Sequence, residues 1–142
     1  MTLDHAKLMD KVRLVEGHVA KLEALAGVPA EEFAADYTKA YAARYMLQTS
    51  VEAMIDIANH IIARRGWGSP KSYVESFELL GQNGGLPPQL VDTCKRLARF
   101  RNRLVHLYQD IDDHAVYDIL QNHLGDFRAY TRLVGERFLK QP

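Results

Sequence analysis

Between Asp36 and Gly66 apolar residues recur at three- and four-residue spacings, with Leu47, Val51, Met54, Ile55, Ala58 and Ile62 marking the face. The pattern predicts a helix from Tyr37 to Arg64, about 40 Å long at 1.5 Å per residue. Asp36 supplies its cap, and Gly66, Gly68 and Pro70 interrupt it. In a chain of 142 residues such a helix can be buried only by other helices packed along it. It is apolar around much of its circumference, and excess apolar surface on an isolated domain implies an oligomer, formed most simply by helix–helix dimerisation.

The flanking segments have the same period. Leu8, Val12, Val15, Val19, Leu22 and Leu25 predict a first helix ended by Gly27 and Pro29. Ser69-Pro70 forms a cap and first-turn pair for a short third helix to Leu80, and Gly81, Gly84, Gly85, Pro87 and Pro88 form a loop. A fourth helix follows from Gln89 to His106. Asp110, Asp112 or Asp113 can cap a last one carrying Val116, Ile119, Leu120, Leu124, Phe127, Leu133, Val134 and Phe138. No stretch alternates with a period of two, and no internal repeat is visible. The expected fold is all-α, an up-and-down bundle of about five helices in one domain spanning residues 1–142.

Composition narrows the function classes. The 18 basic and 18 acidic residues cancel, so the protein as a whole is no electrostatic glue for nucleic acid. Locally, Lys95, Arg96, Arg99, Arg101 and Arg103 crowd together with no acid among them, and Arg64-Arg65 add a smaller cluster. Such a patch suits a phosphodiester, although a solvated helix face that complements the helix dipole would look the same. Cys94 is the sole cysteine, which excludes an internal disulfide and a cysteine metal site; its place on an apolar stripe predicts a buried small hydrophobe. The N-terminus lacks a basic region followed by an apolar one and no run is long enough for a membrane span, so a cytoplasmic location is expected.

The chemistry concentrates in Arg101-Asn102-Arg103-Leu104-Val105-His106-Leu107-Tyr108. Leu90, Cys94, Leu97, Ala98, Leu104 and Val105 form an apolar stripe that Arg101 interrupts. At about 100° per residue, Arg101 and Tyr108 point almost the same way and His106 projects beside them, nearer Asn102. A guanidinium in such a stripe requires a carboxylate, a phosphate or a water-filled cleft. Glu52 or Asp56 could pair with it structurally, and His106 could simply complement the helix C-terminus. His5, His18, His60 and His123 lack metal-binding companions, while His114 with Asp110, Asp112 and Asp113 is better explained by capping. No Ser-His-Asp order, P-loop or dinucleotide fingerprint is present.

The order Arg101, Asn102, three residues, His106, with Tyr108 two positions later, resembles the HEPN superfamily of small helical ribonucleases. Within it the chain is similar to the HepT branch, the toxin partner of a minimal nucleotidyltransferase antitoxin. The similarity extends to Tyr41–Ile62, with Leu47-Gln48 and the run Ala53 to Ala58, and to Asp110-Ile111-Asp112 followed by Val116 to Leu120.

The resemblance implies a HEPN-like homodimer in which two motifs form a composite cleft at the two-fold interface. His106 would be the acid or base of 2′-hydroxyl attack, and Arg101 the phosphate clamp. Asn102 would orient the imidazole or contact ribose, and no metal would be needed. Tyr108 is the expected acceptor of AMP from the antitoxin, which uses ATP; the toxin itself needs no cofactor. The implied function is a metal-independent endoribonuclease toxin with RNA and the nucleotidyltransferase as partners, and neither membrane nor DNA. Two other readings are a non-catalytic HEPN-like module that binds a nucleotide or the nucleotidyltransferase, and a scaffold in which Arg101 and His106 are structural.

Overall fold

A computed structural model describes residues 2–140, and among these there is no strand. The all-α expectation holds. The described residues form seven α-helices: α1 His5–Ala26, α2 Ala30–Ala35, α3 Tyr37–Arg65, α4 Tyr73–Gln82, α5 Pro88–His106, α6 Asp113–Asn122 and α7 Leu124–Val134. A 3-10 turn, Tyr108–Asp110, follows α5, and a π-helical turn, Gly135–Leu139, follows α7.

Capping chemistry sets most boundaries. The Asp4 carboxylate accepts from the Lys7 amide at the start of α1, and Asp36 accepts from the Thr38 amide at the start of α3. The α3 helix ends on Gly66 in the left-handed region at φ 67°, where a side chain would be strained. The start of α4 differs from the expected Ser69-Pro70 pair. Ser72 is the cap, accepting from the Glu75 amide at 3.1 Å, while Glu75 accepts in return from the Lys71 amide at 3.2 Å. This reciprocal cap satisfies two free amides, whereas Ser69-Pro70 offers one serine oxygen and no reciprocal acceptor.

Two further departures concern helices too short or too broken for periodicity to register. The six residues of α2 bury Phe33, with Glu31 and Glu32 in the first turn. The expected single last helix is two. It breaks at His123, which lies at φ −128° and ψ 1°. Asp112, of the three aspartate candidates, caps α6 by accepting from the Ala115 amide at 2.8 Å. On α7 the buried face is Leu124, Phe127, Tyr130, Thr131 and Val134, with Leu133 only partly covered.

The α3 helix is the axis of the bundle, with α1, α2, α4, α5 and α6 packed against it. Met54, Ile57, Ala58 and Ile61 are fully enclosed; each large side chain so buried contributes about 1.5–3 kcal/mol relative to exposure. Tyr130 is also fully buried, and its hydroxyl donates to the Met54 carbonyl at 2.7 Å. The periodic apolar face of α3 is therefore covered within the chain, while Tyr37, Tyr41 and Tyr45 of the same helix stay exposed. Cys94 is buried as expected, and burial pushes its thiol well above the usual range. No helix among the described residues is long and apolar enough to cross a membrane.

Candidate active site

Pro87 and Pro88 open α5, and the helix carries Arg101 on the side facing α3. Its Nε and Nη2 donate to the same Glu52 oxygen at 2.9 and 2.6 Å. Nη1 donates to Asn102 Oδ1 at 3.2 Å, and the guanidinium carbon lies over the Tyr73 ring, 4.9 Å from its centroid. Gln48 Nε2 holds Glu52 in turn at 3.3 Å. Of the two acids considered as partners, Glu52 is the one used, while Asp56 pairs with Lys11 at 2.9 Å. The Arg101 side chain is 14% exposed. It lines a cleft of about 210 Å³ with Glu52, Ile55, Asp56 and Tyr73. Three of the five guanidinium N–H groups are engaged, leaving one on each terminal nitrogen.

Asn102 supports the arginine through its side-chain oxygen. His106 is the last residue of α5 and its ring is exposed. Five residues on, it points about 140° away from Arg101 around the helix axis. One chain thus presents the guanidinium inward and the imidazole outward, and does not bring both to one face.

Tyr108 departs from the expected helical direction. The helix ends at His106, and the next residues form the 3-10 turn, so Tyr108 is set by packing and not by continuation of α5. Its ring lies under Arg44 of α3, with the guanidinium carbon 4.7 Å from the centroid, and meets Tyr41 edge-on at 6.2 Å. It remains 43% exposed. Partial burial raises its phenol above the ordinary value; the Arg44 charge opposes this, and Tyr41 adds to it.

Arg44 is the residue that sequence reasoning missed. It is buried, and Nη2 donates to the Ile111 carbonyl at 2.7 Å and to Asp113 Oδ1 at 3.0 Å, while Nη1 donates to the Tyr108 carbonyl at 3.3 Å. Its Nε is buried without a partner. These bonds fasten the turn after the motif onto α3. The available signal was a cation between Ala40 and Leu47, at the same spacing as the buried face.

His60, His18, Asp112 and Asp113 have structural partners. His60 Nε2 accepts from the Asp4 amide at 3.0 Å, and His18 Nδ1 lies 3.1 Å from the Thr49 hydroxyl. Burial, then the charges of Arg64 and Lys7, lowers the His60 value. Asp112 caps a helix and Asp113 pairs with Arg44, leaving His114 exposed beside them. Among the described residues no cluster of three or more potential ligands is positioned to hold a metal ion.

Comparison with known proteins gives this geometry its family. The model of the family described as ribonuclease HepT-like matches residues 15–134. The chain is 32% identical over 127 residues to the mRNA nuclease HepT of Shewanella oneidensis, covering 89% of this chain and 95% of the relative. It is 26% identical over 124 residues to the tRNA nuclease HepT of Aphanizomenon flos-aquae, covering 87% and 84%. Among solved structures it resembles the tri-AMPylated Shewanella oneidensis HEPN toxin in complex with its MNT antitoxin, with a TM-score of 0.86, 30% identity, and coverage of 92% of this chain and 98% of that one. A toxin–antitoxin complex with AMP-PNP matches with a TM-score of 0.87 at 30% identity, over 93% of this chain and 99% of the other. With an α3 axis, an arginine held on α5 and a tyrosine on the turn beyond it, the chain belongs to the HepT-like ribonuclease family.

Proposed function

We propose that the chain is a single-domain cytoplasmic endoribonuclease toxin, acting without metal as a homodimer and silenced by AMPylation of Tyr108. The observation that carries this reading is the run of groups at the end of α5: a guanidinium oriented by Glu52 and Asn102, an exposed histidine, and, on the turn beyond, a half-exposed tyrosine packed under Arg44.

Scission by the ribose 2′-hydroxyl requires one group to remove its proton and another to protonate the leaving 5′-oxygen, with positive charge on the phosphorane. One chain offers one His106 and one Arg101. A second copy related by a two-fold axis supplies the other pair, so that each histidine serves one proton transfer and the free N–H groups of both guanidinium forks contact the phosphate. Val105, Leu107 and Tyr108 are exposed at the end of α5, and Tyr37, Tyr41 and Tyr45 form an exposed row on α3. This apolar surface supports association at the motif end of the molecule.

The regulatory half rests on Tyr108. Its hydroxyl oxygen would attack the α-phosphorus of ATP held by a nucleotidyltransferase, forming the phosphodiester and releasing pyrophosphate. The phenol's raised value keeps its proton in place, so the partner must supply the base that removes it. The added adenylate places negative charge and bulk where RNA phosphates must enter.

A second reading draws on the same Arg101–Glu52 pair, which balances the guanidinium charge without a ligand and suits a non-catalytic partner module. Purified protein, confirmed by mass to be unmodified, should cleave RNA when offered total RNA and a transfer-RNA pool with a chelator present, while His106→Ala should not. Equal activity of the two proteins would overturn the assigned mechanism. An inactive but folded wild-type dimer would favour the partner module. Incubation with the nucleotidyltransferase and ATP should add adenylate to the wild type and not to Tyr108→Phe.

A further inference from the structure

The basic cluster of α5 is divided by the fold. Lys95 turns toward Glu78 of α4 at 3.9 Å, and Arg101 turns to Glu52 of α3. Arg96, Arg99 and Arg103 fall on the opposite side, and all three are exposed. Among the described residues none of them forms an ion pair or a side-chain hydrogen bond, and Asp92, one turn before Arg96, does not pair with it. The three arginines line a groove of about 310 Å³ whose apolar wall is Leu97, Phe100 and Ile119.

The spacing of this row extends to the motif. Arg96, Arg99, Arg103 and His106 follow one another at intervals of three, four and three residues, so they share one stripe of the helix. Over ten residues the row is about 15 Å long. Complementing the helix dipole accounts for Arg103 and His106 in the last turn, but the dipole effect does not reach back to Arg96 and Arg99. Uncommitted guanidinium groups beside an aromatic ring and an apolar wall match single-stranded nucleic acid, whose phosphates take the charges and whose bases take the apolar surface.

We propose that the Arg96–Arg99–Arg103 groove is a substrate track that holds the RNA strand to one side of the scission point and delivers it to His106. The proposal rests on the ribonuclease reading and adds to it a binding surface facing away from Arg101. Tightness on long RNA would come from this surface, and chemistry from the motif.

The test is the triple variant Arg96→Gln, Arg99→Gln, Arg103→Gln, all at exposed positions, with thermal melting as the folding control. On long single-stranded RNA its KM should rise about tenfold or more with kcat nearly unchanged, as expected when phosphate contacts are removed. Cleavage of a dinucleotide, whose single phosphate lies at the scission point and leaves none for the groove, should change far less. Binding is measured separately by fluorescence anisotropy in a His106→Ala background, which leaves the strand intact. There the log–log salt dependence should become shallower by about 2, from about 0.7 per lost contact, and arginine-to-lysine replacement should restore most of it. Unchanged KM and salt slope would overturn the track. Unaltered RNA kinetics with lost binding of the nucleotidyltransferase would also overturn it, assigning the groove to the partner. If the wild type cleaves no RNA, the nuclease reading falls, while the anisotropy series still decides whether the groove binds RNA.

Discussion

Arg44 and Arg101 are both arginines in otherwise apolar stripes, and their surroundings give them different work. Arg44 is spent on two backbone carbonyls and Asp113, so it is a fastener for the turn. Arg44→Met should cost about 2–3 kcal/mol, because charged hydrogen bonds are lost and buried carbonyls left unpaired. Chemical denaturation would measure this, and AMPylation of Tyr108 should slow in the same variant. Arg101 keeps free N–H groups and lies in a cleft. By contrast His106, exposed at a helix end, should tolerate replacement: His106→Ala should leave the melting temperature nearly unchanged while cleavage falls about 10²–10⁴-fold, the usual range for removal of an acid–base group. His60 predicts a pH effect. Its folded value lies below the ordinary 6.5, so the unfolded chain takes up the proton more readily. The stabilising contribution is complete above pH 6.5 and is lost as pH falls from there through the folded value. His18, lowered chiefly by burial and then by Lys21, acts in the same sense. Melting temperature should therefore drop over this window, and less steeply in His60→Gln.

Among the elements, helices with strong local signals are legible and those decided by neighbours are not. The capped start and left-handed glycine end of α3 are local chemistry, and the sequence predicts its span to within one residue. The start of α4 depends on the reciprocal bonds of Ser72 and Glu75, which compete with a plausible Ser69-Pro70. The packing of α4 on α5 is tight at Gly81, where an added Cβ would come within 2.4 Å of Val91 Cγ2. Valine is stiff at its first side-chain torsion and cannot swing away freely. Gly81→Ala should destabilise by about 1–3 kcal/mol, and a double-mutant cycle with Val91→Ala should be non-additive, the second change relieving much of the first. Denaturant midpoints of the four proteins would measure the coupling.

For the whole molecule, the apolar residues of α3 are covered by its own neighbours, while the exposed row Tyr37, Tyr41 and Tyr45 and the end of α5 remain open. If dimerisation uses this surface, Tyr41→Glu with Leu107→Glu should raise the dimer dissociation constant by at least about tenfold, since each removes apolar area and introduces a charge that resists burial; sedimentation velocity across a dilution series would read it. Sequence alone determined the helical class, the Asp36 cap and glycine end of α3, and the run from Arg101 to Tyr108, because periodicity, capping and short motifs are properties of neighbouring residues. Tertiary structure decided the rest: Glu52 over Asp56 as the partner of Arg101, Tyr108 turned off the helix under Arg44, and the division of the α5 arginines between two faces. Each of these depends on how one helix is rotated against another, and that rotation is set by the packing of the whole core.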